Sequence, residues 1–286
     1  MENIDLHVHS NASDGSCTPA ELLKIASEKQ LEAIALTDHD TVSGIEEFLR
    51  ESARYDLDAV PGVEVSVLYK DSAIHVTGLF IDHKNQPLME LLGEVRENRD
   101  KRNEIIIGKL QELGYEITLD EVLGVASGES VGRPHFAKIL VEKGYFSYPQ
   151  EVFDKCLKKG MSGYCPRMLP DPERAIKLIH EAGGMAFWAH PVHRADENLS
   201  YVESVLNVFI KLGLDGIEAY YSTFTREQQE MLLRVAEKYN LAVSGGSDFH
   251  GENMPGVEMG SGFGGLAVPF SIYSGILGKR KTGHST

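Results

Sequence analysis

The chain has 286 residues, 42% hydrophobic and 25% charged, proportions that suit a globular protein with room for one large barrel or two ordinary domains and exclude a disordered or fibrous chain. Its formal net charge of −15 argues against gripping long duplex nucleic acid through a basic face, and no apolar run approaches the ~20 residues of a membrane helix. Cys17, Cys156 and Cys165 are odd in number and form no CxxC pair, so three reduced thiols are expected rather than a disulfide framework or a thiolate zinc site.

Met1 to Asp5 lacks the basic and apolar regions of a signal peptide, which makes a cytoplasmic location the expectation. Ile4, Leu6 and Val8 alternate with Asp5, His7 and His9, the period of a strand. Thr18-Pro19-Ala20-Glu21 is a helix start with a capping box. Ala33 to Leu36 reads as a short buried strand. Ser43 with Glu46 opens a second helix, and Ala59–Val67 and Ala73–Ile81 read as two more strands. Leu88 to Leu113 is a long charged helix, followed by helical pieces near Pro134–Lys143 and Pro149–Lys158. The strand–helix rhythm resumes with a helix from Asp171-Pro172, a strand Met185–Ala189, a helix over 200–212, a strand Asp215–Ala219, a helix opened by Thr225-Arg226-Glu227-Gln228 and a seventh strand Leu241–Ser244. The Lys279-Arg280-Lys281 tail reads as short and frayed. The sum is an α/β chain: a distorted seven-stranded (β/α) barrel, complete or incomplete, from 1–97 and 166–286, with a helical insertion over 98–165.

Chemistry in such barrels gathers at the C-terminal ends of strands. Applied here, that filter selects His7 and His9, Asp38 and His39, Glu64, His75, His190, Glu218, and Asp248 with His250. His7 and His9, two apart on a strand, face one side and can reach one cation. Asp14 sits in a Ser-Asp-Gly turn, where an ordinary Asx turn is the plainer reading. Asp40 or Thr41 suits a helix N-cap. Glu64 and His75 interrupt apolar strands; a buried carboxylate needs a partner, either a cation or a basic residue such as Lys70. His83, His180 and His284 read as ordinary histidines, and His193, near His190, as a candidate for substrate contact.

Together these pieces resemble the PHP (polymerase and histidinol phosphatase) family. The matching segments are Asp5-Leu6-His7-Val8-His9-Ser10, Asp14-Gly15, Leu36-Thr37-Asp38-His39-Asp40, Pro61-Gly62-Val63-Glu64, His75, His190-Pro191 and Gly246-Ser247-Asp248-Phe249-His250-Gly251, in order along nearly the whole chain. The helical insertion and its Gly132-Arg133-Pro134-His135 resemble the branch acting on nucleoside 3′,5′-bisphosphates and the 5′ ends of short RNA. Histidinol phosphatases and polymerase-associated domains share the barrel motifs but fit the insertion less well. Gln30 departs from the glycine the resemblance leads one to expect before the second strand.

The resemblance implies a trinuclear site. One ion falls to His7, His9, Glu64 and Asp248, a second to Asp14, His39 and His250, and a third to Glu64, His75 and His190, with Glu64 shared. Imidazoles with carboxylates suit Mn²⁺, the first expectation, or Fe²⁺ or Zn²⁺. The expected reaction is hydrolysis of a nucleotide phosphomonoester, with Asp38 orienting His39 or His9 from behind. Arg133 and His135, then Arg99 and Arg102, are candidates for the substrate's other phosphate. Tyr145, Phe146 and Tyr148 offer rings for a base. The rival readings are an amidohydrolase, for which no strand-end lysine appears, and a non-catalytic scaffold, which would have lost ligands.

Overall fold

The computed structural model describes residues 3–125, 131–192 and 198–283. In chain order they form β1 (Asn3–Val8), α1 (Pro19–Glu28), β2 (Leu31–Leu36), α2 (Ile45–Ser52), β3 (Asp58–Tyr69), β4 (Ser72–Leu79), α3 (Gln86–Glu112), α4 (Leu119–Gly124), α5 (Arg133–Glu142) and α6 (Pro149–Val152). A π-helical turn, Phe153–Leu157, comes next. Then follow α7 (Pro172–Glu181), β5 (Met185–Trp188), α8 (Leu199–Phe209), β6 (Gly216–Tyr221), α9 (Arg226–Lys238), β7 (Ala242–Gly246), β8 (Val268–Pro269) and α10 (Phe270–Gly283).

Local signals explain several boundaries. Thr18 and Thr225 close the expected capping boxes with Glu21 and Gln228, and Asp171 accepts from the N–H of Arg174. A further box, Thr118 with Glu121, starts α4, a helix too short to announce itself by periodicity. Ser43 does not start α2: the cap position is Gly44, without a side-chain bond. Gln30 holds φ +55°, so the chain does need a left-handed residue before β2, the conformation that favours glycine. The basic tail is not frayed, since Lys279, Arg280 and Lys281 belong to α10.

The strands form one sheet in the order β7-β6-β5-β4-β3-β2-β1-β8. Among the described residues eight strands are present where seven were expected. The extra one, β8, is two residues long and antiparallel to β1, beyond the reach of a periodicity argument. The sheet curls until its ends meet. Past β7 the chain runs beside β1, with the N–H of Asp248 bonded to the carbonyl of His7 and the N–H of His9 to the carbonyl of Phe249, both at 2.9 Å. Gly246 sits at the seam, where a Cβ would lie 2.4 Å from the backbone nitrogen of His7; any side chain would force the barrel open.

The barrel is distorted on one side. β4 runs antiparallel to both β3 and β5, while the pairs β1–β2, β2–β3, β5–β6 and β6–β7 are parallel. α3 belongs to two apolar clusters. Leu88, Leu91 and Leu92 pack into the barrel-side core with Ile176 and Ile179, whereas Ile106, Ile107 and Leu110 join a separate cluster with Phe136, Leu140 and Leu157. One continuous helix thus carries the helical segment out over the barrel mouth.

Candidate metal centre

Every histidine and acid put forward as a ligand is brought to one mouth of the barrel. His7 and His9 come from the end of β1, fully buried, and Asp14 from the turn after it; His39 follows β2. Glu64, also fully buried, lies midway along β3. His75 arrives differently from the expectation. It sits midway along β4, and it reaches the shared rim because that strand runs in reverse, placing His75 opposite Ser66 of β3. His190 follows β5, and Asp248 and His250 follow β7. His190 and Asp248 hold φ +32° and +57°. Such backbone is costly for non-glycine residues and recurs at functional sites.

The donor atoms fall into three interlocking groups: His7, His9, Glu64 and Asp248; His9, Asp14, His39 and His250; and His39, Glu64 and His75. In the first, Nε2 of His7 lies 3.4 Å from Glu64 Oε2 and 3.5 Å from Asp248 Oδ1, and Nε2 of His9 lies 3.4 and 3.0 Å from the same two atoms. In the second, Asp14 is 3.3 Å from His250 Nε2 and 3.8 Å from both His9 Nδ1 and His39 Nε2. In the third, Glu64 lies 2.9 Å from His39 Nδ1 and 3.0 Å from His75 Nδ1. Nε2 of His190 joins it at 3.0 Å from Glu64 Oε1 and 3.3 Å from His75 Nδ1.

These residues fit cations on two grounds. Bonds of about 2.0–2.2 Å to nitrogen and oxygen place neighbouring ligands of one ion roughly 3.0–3.5 Å apart, the spacing in the first group. Second, His7 Nε2, both ring nitrogens of His9, His39 Nδ1, Glu64 Oε2 and Asp248 Oδ1 are buried with no aligned hydrogen bond. At ~1–3 kcal/mol for each unsatisfied group, that cluster would cancel much of the ~5–15 kcal/mol that holds a domain folded. Shared cations remove the deficit.

Without cations the charges lean on one another. Burial alone would suppress protonation of His7 and His39, but Glu218, Glu64 and Asp248 hold His7 well above its ordinary value, and Glu64 with Asp14 lifts His39 to about 10. His9 is pushed down to about 4 by burial and by its neighbours His250 and His39. Burial would raise Glu64, yet His39, His75 and His7 keep it well below the carboxylate range.

Residues behind the cluster fix its orientation. Glu218, selected by the strand-end filter, accepts from Nδ1 of His7 at 2.9 Å and from the backbone N–H of His190 at 2.7 Å. The first bond sends Nε2 of His7 towards Glu64 and Asp248. Tyr221 donates to Asp248 Oδ2 at 2.8 Å, leaving Oδ1 for the cluster. The sequence missed Tyr221 because alternation from Glu218 turns it away; a register shift between Glu218 and Tyr220 brings it back. Asp38 does not hold His39 or His9. Its oxygens accept from the N–H and hydroxyl of Ser10 and the hydroxyl of Ser13, so it shapes the turn bearing Asp14. Asp40 is no helix cap: it accepts from the N–H of Ser66 at 2.7 Å and from Arg99. Asp5 accepts from Ser247 and Gly260 and clamps the seam.

Two cavities meet at this mouth and share His39, His75, Arg102 and Arg167. The smaller, about 190 Å³, is lined by Arg99, Gly132, His135 and Met168 as well. The larger, about 1020 Å³, extends past His190 and Tyr221 to Arg133, Phe153 and Tyr164. Arg133 and His135, two apart in the motif, therefore open onto different cavities. Arg102 is buried, donates from Nε to the carbonyl of Cys165 at 3.2 Å and keeps one terminal nitrogen unpaired. Burial and the nearby Arg167, Arg133 and Arg99 lower it to about 10. Arg167 was not among the sequence candidates; it stands on irregular chain outside any motif. Of the aromatic rings lining the larger cavity, Phe153 and Tyr164 come from the helical segment, and Trp188, Tyr201 and Tyr221 from the barrel side. Tyr145, Phe146 and Tyr148 line neither cavity; Phe146 is packed into the helical segment's core. His193 and His284 lie outside the described residues.

Known proteins fit this geometry. The family model described as "PHP domain" matches residues 5–242. The chain is 34% identical to the 5′-3′ exoribonuclease Rnm of Escherichia coli over 90% of its own length and 87% of that protein. It is also 34% identical to a 3′,5′-nucleoside bisphosphate phosphatase of Chromobacterium violaceum, over 91% of each. A solved structure described as an amidohydrolase from Chromobacterium violaceum, with bound SO4 and no metal, superposes with a TM-score of 0.83 at 32% identity, covering 98% of this chain and 96% of the other. With the family's segments converging on one cluster of donors, the chain belongs to the PHP domain family.

Proposed function

We propose that this metal-dependent phosphoesterase removes the 3′-phosphate of nucleoside 3′,5′-bisphosphates and, by the same chemistry, cleaves at the 5′ ends of short RNA. The observation that carries the reading is the arginine-lined cavity opening on His39 and His75, with an unpaired buried guanidinium nitrogen on Arg102. A phosphate ester with a second phosphate satisfies both halves of such a site, one at the carboxylate–histidine cluster and one at the arginines.

Three ions are assigned as the chemistry of the donors allows. A neutral imidazole offers one lone pair, yet His9 and His39 each face two groups. His9 serves the first ion, with His7, Glu64 and Asp248, through Nε2. His39 serves the second, with Asp14 and His250, through Nε2, which leaves its Nδ1 facing Glu64, 2.9 Å away. His75, His190 and Glu64 hold the third. When bound, such ions neutralise phosphate charge and supply a nucleophilic water at neutral pH; Mn²⁺ is the first choice, with Fe²⁺ or Zn²⁺ as alternatives. The protein's own part is to fix the ligands from Glu218 and Tyr221, to hold Asp14 through the Asp38 network, and to grip the non-reacting phosphate with Arg99, Arg102, His135 and Arg167. The helical segment 98–165 serves as the substrate cap.

An amidohydrolase reading finds less support: no lysine stands on the barrel side of either cavity, and Lys158 and Lys159, the lysines that line the larger one, belong to the helical segment. The test is phosphate release, with Mn²⁺ present, from adenosine 3′,5′-bisphosphate, 5′-phosphorylated RNA, histidinol phosphate and a phosphotyrosyl peptide, beside an amide and a lactone. The bisphosphate and the RNA should be preferred; preference for either of the other phosphates, or turnover of the amide or lactone, refutes the assignment.

A further inference from the structure

We propose that the wall of the larger cavity formed by Phe153, Lys158, Lys159 and Tyr164 is a track for single-stranded RNA, carrying the nucleotides beyond the scissile phosphate away from the metal centre. The inference rests on the phosphoesterase reading above and adds to it a path and a chain-length preference.

Size gives the first reason. At about 190 Å³ the smaller cavity falls below the ~300–1,000 Å³ of typical small-ligand pockets, enough for a phosphate group in its arginine lining but not for a polynucleotide. The larger, at about 1020 Å³, sits at the top of that range and opens from the same His39 and His75. A chain held at its 5′ end in the smaller cavity can leave through the larger one, which shares His39, His75, Arg102 and Arg167 with it.

Chemistry gives the second. Single strands are held without sequence preference by cations along the backbone and rings beneath the bases. The guanidinium of Arg133 lies over the rings of Phe153 and Tyr164, 5.8 and 6.0 Å from their centres, so two rings and a cation are held as one platform. Lys158 and Lys159 stand next to it. Their present partners are Asp154 at 3.1 Å and Asp71 at 3.2 Å, all exposed. Surface pairs of this kind are worth ~0–1 kcal/mol, so a phosphate can displace the carboxylates.

Backbone geometry gives the third. Phe153–Leu157 is a π-helical turn closed by the bond from Lys158 N–H to the carbonyl of Phe153 at 2.9 Å. Turns of this kind are uncommon and concentrate at functional sites. Here the turn's closing bond joins the backbone of Phe153, the first ring of the platform, to that of Lys158, the first lysine.

The experiment compares K158Q/K159Q with the unaltered Mn²⁺-loaded protein on two substrates, adenosine 3′,5′-bisphosphate and a 5′-phosphorylated pentaribonucleotide. Both lysines are more than half exposed, so folding is not at stake, and matching circular dichroism and Tm check it. The ratio of kcat/KM for the pentamer to that for the bisphosphate should fall about tenfold, and the salt dependence of pentamer binding should flatten by roughly 0.7 in log–log slope for each lost phosphate contact. An unchanged ratio overturns the track. So does an unaltered protein that hydrolyses the bisphosphate but leaves the pentamer intact, while the phosphoesterase reading survives. Failure on both substrates removes that reading and the track with it.

Discussion

At the level of single residues, the cluster works through tautomers set from behind. Glu218 takes the Nδ1 proton of His7 with one oxygen and the His190 N–H with the other. A Glu218→Gln side chain would have to turn an NH₂ group on one of these two donors. Its cost should appear as a ~10–100-fold loss of metal affinity, the usual range for such supporting partners, measured by competition with a chelating dye; unchanged affinity would leave Glu218 a purely structural strand residue. His9→Ala removes a ligand of the first ion and should abolish turnover while circular dichroism stays native. The His-x-His pair, Glu64 and the Asp-x-His pair were legible in the sequence because strand alternation and an acid in an apolar strand are local signals. Asp38, Asp40, Tyr221 and Arg167 were not, since their partners come from other elements and only the assembled fold shows them.

Elements explain the rest of what sequence left open. The seven longer strands were readable from apolar periodicity, which says nothing of direction; that β4 runs against β3, which is what carries His75 to the rim, follows from a link too short for a parallel crossover. α3 is anchored over the mouth by Asp40, whose carbonyl accepts from Arg96 at 2.5 Å and whose carboxylate binds Arg99. Removing one member of a buried ion pair costs ~3–5 kcal/mol. Asp40→Ala should fall at the lower end of that range in urea unfolding, because Arg99 is 15% exposed. A second element-level prediction concerns pH. His180 on α7 bonds Asp215 at 2.7 Å before β6, and this bond raises its protonation above the ordinary value against partial burial. A histidine raised in the folded state stabilises fully below its unfolded pKa of about 6.5 and loses that contribution as pH climbs through the folded value. His180→Ala should therefore lower Tm more at pH 6 than at pH 9; an equal gap at both would deny the pair a role.

For the molecule as a whole, the puzzle is a chain of net charge −15 acting on phosphates. The field is reversed locally. Cations at the carboxylate cluster and four arginines around one junction offset the acidic surface where substrate enters. Cations held there would also tie β1 to the segment after β7, across the seam that backbone bonds and Asp5 close. Chelation should lower Tm as well as stop turnover, and Mn²⁺ should restore both; ligand linkage gives ~2.7 kcal/mol at a hundredfold excess over Kd. Among the described residues no helix is long and apolar enough to cross a membrane.

The most direct measurement is anomalous diffraction from crystals grown with Mn²⁺. Three peaks are expected: one among His7, His9, Glu64 and Asp248, one among Asp14, His39 and His250, and one beside Glu64, His75 and His190. Crystals that bind Mn²⁺ elsewhere, or that leave these donors paired only with one another at saturating metal, would contradict a cation-built centre.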